Sequence, residues 1–240
     1  MGFMDRLFGK ADDPQAAPEL FQEGRTKMWA RQFGEADRLL GRAARHHRLP
    51  ELPLAYRSLL LRAQKKTREA IQTADQGIKA APSSFEAHAA RCVALLTLPS
   101  DMESIVGAYD QATRLAPSDP DGHFLRLALF LLFYDMIRNA EETAQGVTLN
   151  FTLTPLTRMA IRLFDFQPEG AIEEVSNLPS SLVVELGLGL SYYRLGRHKL
   201  AVQNLRTVLD HERASKTKDS RVQSEEALLR ECEARSGPKG

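Results

Sequence analysis

The chain has 240 residues with 43% hydrophobic content and two cysteines, enough apolar material for a sizeable core and no basis for a disulfide framework. Its 32 Lys and Arg nearly balance 31 Asp and Glu, so the formal net charge of +1 gives no general footprint for nucleic acid. The N-terminus lacks the continuous apolar stretch of a cleavable signal peptide, and the apolar run Leu127 to Tyr134 is far too short to span a bilayer.

Residues 1–16 read as an amphipathic segment followed by a linker. As a helix, MGFMDRLFGK places Phe3, Met4, Leu7 and Phe8 on one face, and Gly9 with ADDPQAAP marks a stop. Phe3, Leu7 and Phe8 are candidate docking residues, for a partner groove or weakly for a membrane surface. The alternative is a tail that caps the first helices.

From Ala17 onward, helical patterns recur in pairs. In the first pair, Gly24, Phe33, Ala36, Leu40 and Ala43 carry the spacing, Arg31 stands at the turn between the two patterns, and Pro50 closes the unit. The second runs through Ser58, Leu61, Ala70, Ala74 and Gly77 to Pro82. The third uses Cys92, Leu95, Ile105, Tyr109 and Ala112, with one extra residue near Pro99, and ends at Pro117. A fourth uses Ala128, Leu131, Ile137, Ala140, Ala144 and Val147. A fifth is degenerate, with Ala160 and Leu163, then Pro168, Ala171 and Val175, closing at Pro179. Ser83 and Asp119 are expected to cap the helices that follow them. No segment alternates convincingly, so no sheet is expected, and Thr148 to Thr154 reads as an extended connection.

The last pair, Gly189 to Val208, has the clearest pattern. Small residues stand at Gly189 and Ala201, bulky apolar ones at Tyr192, Leu195, Leu205 and Val208, and Gly196 sits where a left-handed residue ends a helix. Gly189, Tyr192, Gly196, His198, Ala201, Leu205 and Val208 together resemble one tetratricopeptide repeat, with His198 where an aromatic ring is usual. The earlier units supply the neighbours that such a unit needs at a period of about 34 residues. Ser220 is expected to start a final capping helix through Leu228 and Leu229, with Glu225, Glu226, Arg230, Glu231 and Arg235 on its polar face.

The expected fold is therefore all-α: an α-solenoid of about five to six helix-turn-helix repeats over residues 17–235, one continuous domain with a C-terminal capping helix and a disordered tail at 236–240.

No chemistry emerges from the residues. The six histidines lack metal-ligand spacing, no phosphate loop or nucleophile elbow occurs, and Glu141–Glu142 and Glu173–Glu174 read as solvated faces. No enzyme, metal or cofactor is expected. Cys92 reads as a small core residue.

Function then falls to the surface. The resemblance implies that the first helix of each repeat lines a concave groove holding a partner helix or peptide. Its slots map to Phe21, Arg25, Met28 and Trp29, then Leu59 and Arg62, Val93 and Leu96, Leu125, Leu129 and Leu132, and Leu186, Leu190, Tyr193 and Arg194. Such a groove is mostly apolar with a few Arg anchors. The Asn residues of a chaperone-tail clamp are absent. Arg25, Trp29 and Tyr193 are residue types that often carry interface energy. Basic clusters at Arg42, Arg45, His46, His47 and Arg48, and at Lys65, Lys66 and Arg68, read as solvated helix ends, with a weak anion-binding patch as the sharper alternative.

The expected function is a non-catalytic adaptor in the cytoplasm or at the inner face of the membrane, with a protein or peptide partner and no nucleic acid. The alternatives are a self-assembling scaffold, which makes the chain a homo-oligomer, and a peripheral membrane adaptor docked through the N-terminal segment.

Overall fold

The computed structural model describes residues 16–96, 102–143, 154–215 and 220–237, and every regular element among them is a helix. The helices group into two compact units divided between Ser118 and Asp119. Phe3, Leu7 and Phe8 lie outside the described residues, as do Ala144, Val147 and most of the Thr148 to Thr154 stretch.

Unit 1 holds α1 (Ala17–Trp29), α2 (Phe33–His46), α3 (Glu51–Ala63), α4 (Thr67–Ala80), α5 (Phe85–Leu95) and α6 (Met102–Thr113). They form three hairpins, α1–α2, α3–α4 and α5–α6, and each new hairpin packs its first helix against the one before it: α3 on α2, and α5 on both α3 and α4. Unit 2 holds α7 (Pro120–Thr143), α8 (Pro155–Phe164), α9 (Pro168–Val175), α10 (Leu182–Arg194), α11 (His198–Ser215) and α12 (Ser220–Arg235). Its hairpins are α8–α9 and α10–α11, and α7 packs against α8, α10 and α12.

One turn is reused in both units. Arg31, Lys65, Phe166 and Gly196 have φ of 58°, 64°, 57° and 68°. In each case the amide of that residue donates to the carbonyl three residues back, and the next amide donates five residues back: Arg31 to Met28 and Gln32 to Lys27, Lys65 to Arg62 and Lys66 to Leu61, Phe166 to Leu163 and Gln167 to Arg162, Gly196 to Tyr193 and Arg197 to Tyr192. This is the Schellman arrangement, which satisfies the orphan carbonyls of the first helix and delivers the chain directly into the second. Ala36, Ala70, Ala171 and Ala201 then sit four residues into each second helix, all with no exposed surface.

The small residues of the first helices set how closely the hairpin closes. A Cβ on Gly24 meets Leu40 Cδ2 at 3.0 Å, and one on Gly189 meets Leu205 Cδ2 at 3.0 Å, the same contact in the first and last hairpins. Ser58 instead donates its hydroxyl to the Ala70 carbonyl at 2.8 Å, and Cys92 directs its thiol to the Ile105 carbonyl at 3.7 Å. The extra residue near Pro99 explains why the second separation is one residue longer than the first.

Capping follows the sequence with one shift. Asp119 accepts from the Gly122 amide at 2.6 Å, as expected. The cap of α5 is Ser84 rather than Ser83, accepting from the Ala87 amide at 3.2 Å. Thr154 and Ser181 cap α8 and α10. Pro168 opens α9 at its first turn, where a missing N–H costs nothing.

Two expectations are corrected. The fourth unit has no turn between Leu131 and Ile137, because α7 runs unbroken for 24 residues through Thr143. No Gly or Pro interrupts FLLFYDMIRNAEET, so nothing ends the helix where the repeat pattern places a break. The final helix does not turn all of its expected polar face outward. Glu225 is fully buried, and Glu231 is held by Tyr193, because α12 packs against both α11 and α7.

Two stability tests follow. Gly189→Val forces branched carbon into the Leu205 contact and is expected to cost about 1–3 kcal/mol by urea unfolding. Adding Leu205→Ala recovers part of that loss, so the double variant falls short of additivity. Lys65→Gly removes a side chain from a left-handed position and is expected to raise stability by about 1 kcal/mol, read as a higher urea midpoint at unchanged slope.

Candidate functional site

The groove residues expected from the sequence separate into two classes. Phe21, Met28, Leu59, Val93, Leu129, Leu190 and Tyr193 are buried within the chain's own packing, so these seven contribute core rather than partner surface. Leu125, Leu132 and Leu186 are buried as well. The cause is helical geometry. On α1 the stripe Ala17, Phe21, Gly24 and Met28 is buried, and the residues that reach solvent lie off that stripe. Arg25, Trp29 and Arg62 are the half-buried members on α1 and α3.

Arg25 is held in place by aromatic rings. Phe21 stacks edge-on against His47 and Tyr56, with centroids 5.3 Å and 5.4 Å away. The Arg25 guanidinium lies 4.8 Å from the Phe21 centroid and 5.4 Å from that of Tyr56, and donates to Gln22 Oε1. Such cation–π contacts fix a charged group without neutralising it. The Phe21 and Tyr56 rings that hold Arg25 are themselves buried.

In unit 2 the expected groove residues Tyr193 and Arg194 are engaged internally. Tyr193 donates its hydroxyl to Glu231 Oε2 on α12 at 2.9 Å. Arg194 pairs with Asp121 on α7 at 2.9 Å, with the two side chains only 9% and 10% exposed, and its guanidinium sits 3.9 Å from the Phe124 ring. Burial raises the Tyr193 hydroxyl well above its ordinary pKa, against the neighbouring Arg194 and with the acids Asp121 and Glu231. His123 on α7 meets the Ser224 hydroxyl of α12 at 3.0 Å, and Arg221 lies over Phe130 while pairing with Glu212 and Glu225. The sequence reading missed Asp121, Glu212 and Arg221. Their only sequence signal is charge at helical positions that otherwise read as core or cap.

Nothing in the titration of these groups marks a nucleophile. Burial pushes the Cys92 thiol far up and the Cys232 thiol up to about 12, keeping both protonated. The Arg158 hydrogen bond, with help from Arg162, lowers Glu174, an ion-pair effect between α8 and α9. A cleft of about 380 Å³ between α11 and α12 is lined by Arg206, Arg213, Glu226 and Glu233, and its charges pair across it. Among the described residues no group of three His, Cys, Asp or Glu is placed to hold a metal. No described helix is long and apolar enough to cross a membrane.

His198, at the first turn of α11, packs its ring against Tyr193 at 6.4 Å between centroids. Burial, and then the Arg235 charge, lower its pKa. The sign follows from linkage: the unfolded imidazole takes its proton near 6.5, the folded one at lower pH, so stability falls as pH drops below that value. His198→Phe is expected to raise the melting temperature, with a larger gain at pH 5 than at pH 8. Equal gains at both pH values run against this assignment.

No protein-family model and no curated protein matches the chain. Among solved structures, the MamA RS-1 ArsTM double mutant is similar over 87% of this chain and 99% of that one, at 19% identity and a TM-score of 0.38. A tetratricopeptide repeat protein from Parabacteroides merdae ATCC 43184 is similar over 94% and 95%, at 14% identity and a TM-score of 0.38. The fold assignment, an all-α array of helical hairpins, rests on the chain's own helices and turns.

Proposed function

We propose that the chain is a non-catalytic adaptor that holds a segment of a partner protein against the first helices of unit 1, with Arg25, Trp29 and Arg62 as the principal contacts. The observation that supports this reading is that Arg25, Trp29 and Arg62, on the first helices of unit 1, are half-buried, each with part of its surface in solvent. Tryptophan and arginine held by rigid packing lose little entropy on binding, which is why they dominate interface energies.

The partner's chemistry follows from that of the face. Two guanidinium groups and an indole suit a helix or extended segment with an acidic or amide side chain beside an apolar one. A purely aliphatic segment leaves both arginines desolvated without compensation.

Affinity capture from native lysate tests this, with wild type beside Trp29→Ala and Arg62→Glu variants whose helicity and melting temperature match it. A partner recovered by wild type is expected to be depleted with either variant, and Trp29→Ala is expected to cost about 2 kcal/mol, roughly thirtyfold in Kd. Equal recovery by all three moves the binding surface off α1 and α3.

A further inference from the structure

The cleft between α11 and α12 is a ladder of charge with its middle rung open. Arg206, Asp210 and Arg213 recur at helical spacing on α11, and Glu226, Arg230 and Glu233 do so on α12, so each helix turns one charged ridge to the cleft. Arg206 pairs with Glu233 at 2.5 Å, and Arg213 with Glu226 at 3.1 Å. These pairs close the two ends. They also set an antiparallel register, in which residues 209 and 210 lie level with 229 and 230.

The middle charges do not pair with each other. In that register Asp210 stands level with Leu229, and Arg230 with Leu209, so each charge meets an apolar residue instead of its counter-ion. Asp210 has one ion pair, the long 4.0 Å contact with Arg213 on its own helix, and Arg213 lies closer to Glu226. The Arg230 guanidinium makes no hydrogen bond or ion pair among the described residues. Asp210 and Arg230 are exposed, Leu229 is half-buried, and Leu209 is buried. The cleft holds about 380 Å³, at the small end of the range for ligand sites.

We propose that this cleft binds a small zwitterion with an aliphatic group, the chemistry of a free aliphatic amino acid. Arg230 donates to the carboxylate, the ammonium donates to Asp210, and Leu209 and Leu229 take the side chain. Charge balance selects this class. The lining carries three Arg against one Asp and two Glu, and once the two end pairs are set aside one cation and one anion are left. A phosphate would find a single uncommitted guanidinium among three carboxylates. A wholly apolar ligand would strip water from Asp210 and Arg230 and return nothing to either. The site goes beyond the adaptor reading and uses none of its residues.

The test is a titration of full-length, isotope-labelled protein with L-leucine, followed through backbone amide shifts by NMR. Saturable shifts are expected on α11 and α12. Leucinamide, which lacks the carboxylate, and isocaproate, which lacks the ammonium, are each expected to bind on the order of tenfold more weakly. Arg230→Gln and Asp210→Asn are each expected to lose on the order of tenfold in leucine affinity, and Arg230→Lys, which keeps the charge, to recover part of it. Lys199→Ala, which removes an exposed cation at the start of α11, is expected to change affinity little. The proposal is overturned if leucine gives no saturable shift, if either analogue binds as tightly as leucine, or if Arg230→Gln and Asp210→Asn bind like wild type. It is also overturned if Lys199→Ala weakens binding equally, or if inorganic phosphate binds more tightly than leucine, which makes this a plain anion site. Arg230→Gln is expected to leave partner capture through α1 and α3 unchanged, so failure of that reading and failure of this site are read separately.

Discussion

The close crossing of the two helices in each hairpin is the contact on which the rest of the structure depends. Gly24 against Leu40 and Gly189 against Leu205 bring backbones together at a distance a larger first-helix residue does not allow. Once that distance is set, the Schellman turn spans it without slack, and the buried alanines at Ala36, Ala70, Ala171 and Ala201 fall at the second crossing. Where the small slot is Ser58 or Cys92, the side chain reaches the opposing backbone carbonyl instead, so a polar atom takes part in the same approach. Each hairpin is thus a unit with a fixed geometry, and stacking such units buries the faces that none can cover alone.

The two units use this device differently. Unit 1 stacks hairpins, and of its first helices α1 carries exposed residues while α3 and α5 carry only half-buried ones beside their core. Unit 2 closes on itself. From Asp121 to Phe133 its longest helix, α7, is buried at nearly every position, and it packs against α8, α10 and α12, which explains a run of Leu and Phe with no clear polar face. The closure brings charge inside. Arg194 with Asp121, and Arg221 with Glu212 and Glu225, are pairs whose separation in the folded state would leave an uncompensated buried ion. Arg194–Asp121 joins α10 to α7, and Arg221–Glu212 joins α12 to α11.

How much of this was legible in the sequence depends on whether the signal was local. The turn at Gly196, the crossing at Gly189 and the cap at Asp119 are local, and the residues alone place them correctly. The one-residue insertion in the third unit is also visible, because the spacing from Cys92 to Ile105 exceeds that from Ser58 to Ala70 by one. The long α7 was misread because the repeat period was extended over a stretch with no helix stop. The groove assignment for Tyr193 and Arg194 presupposed an open concave face in unit 2. What fills that face is a helix nearly 30 residues further on, and no periodicity within α10 encodes it.

The same distinction bears on where function resides. Residues at core slots answer to packing: Phe166 tolerates a left-handed backbone because its ring is buried, and Ala201 is small because a helix crosses there. Arg31 and Lys65 hold the same left-handed turn position that Gly196 fills without strain, so each carries a backbone cost that Gly196 does not.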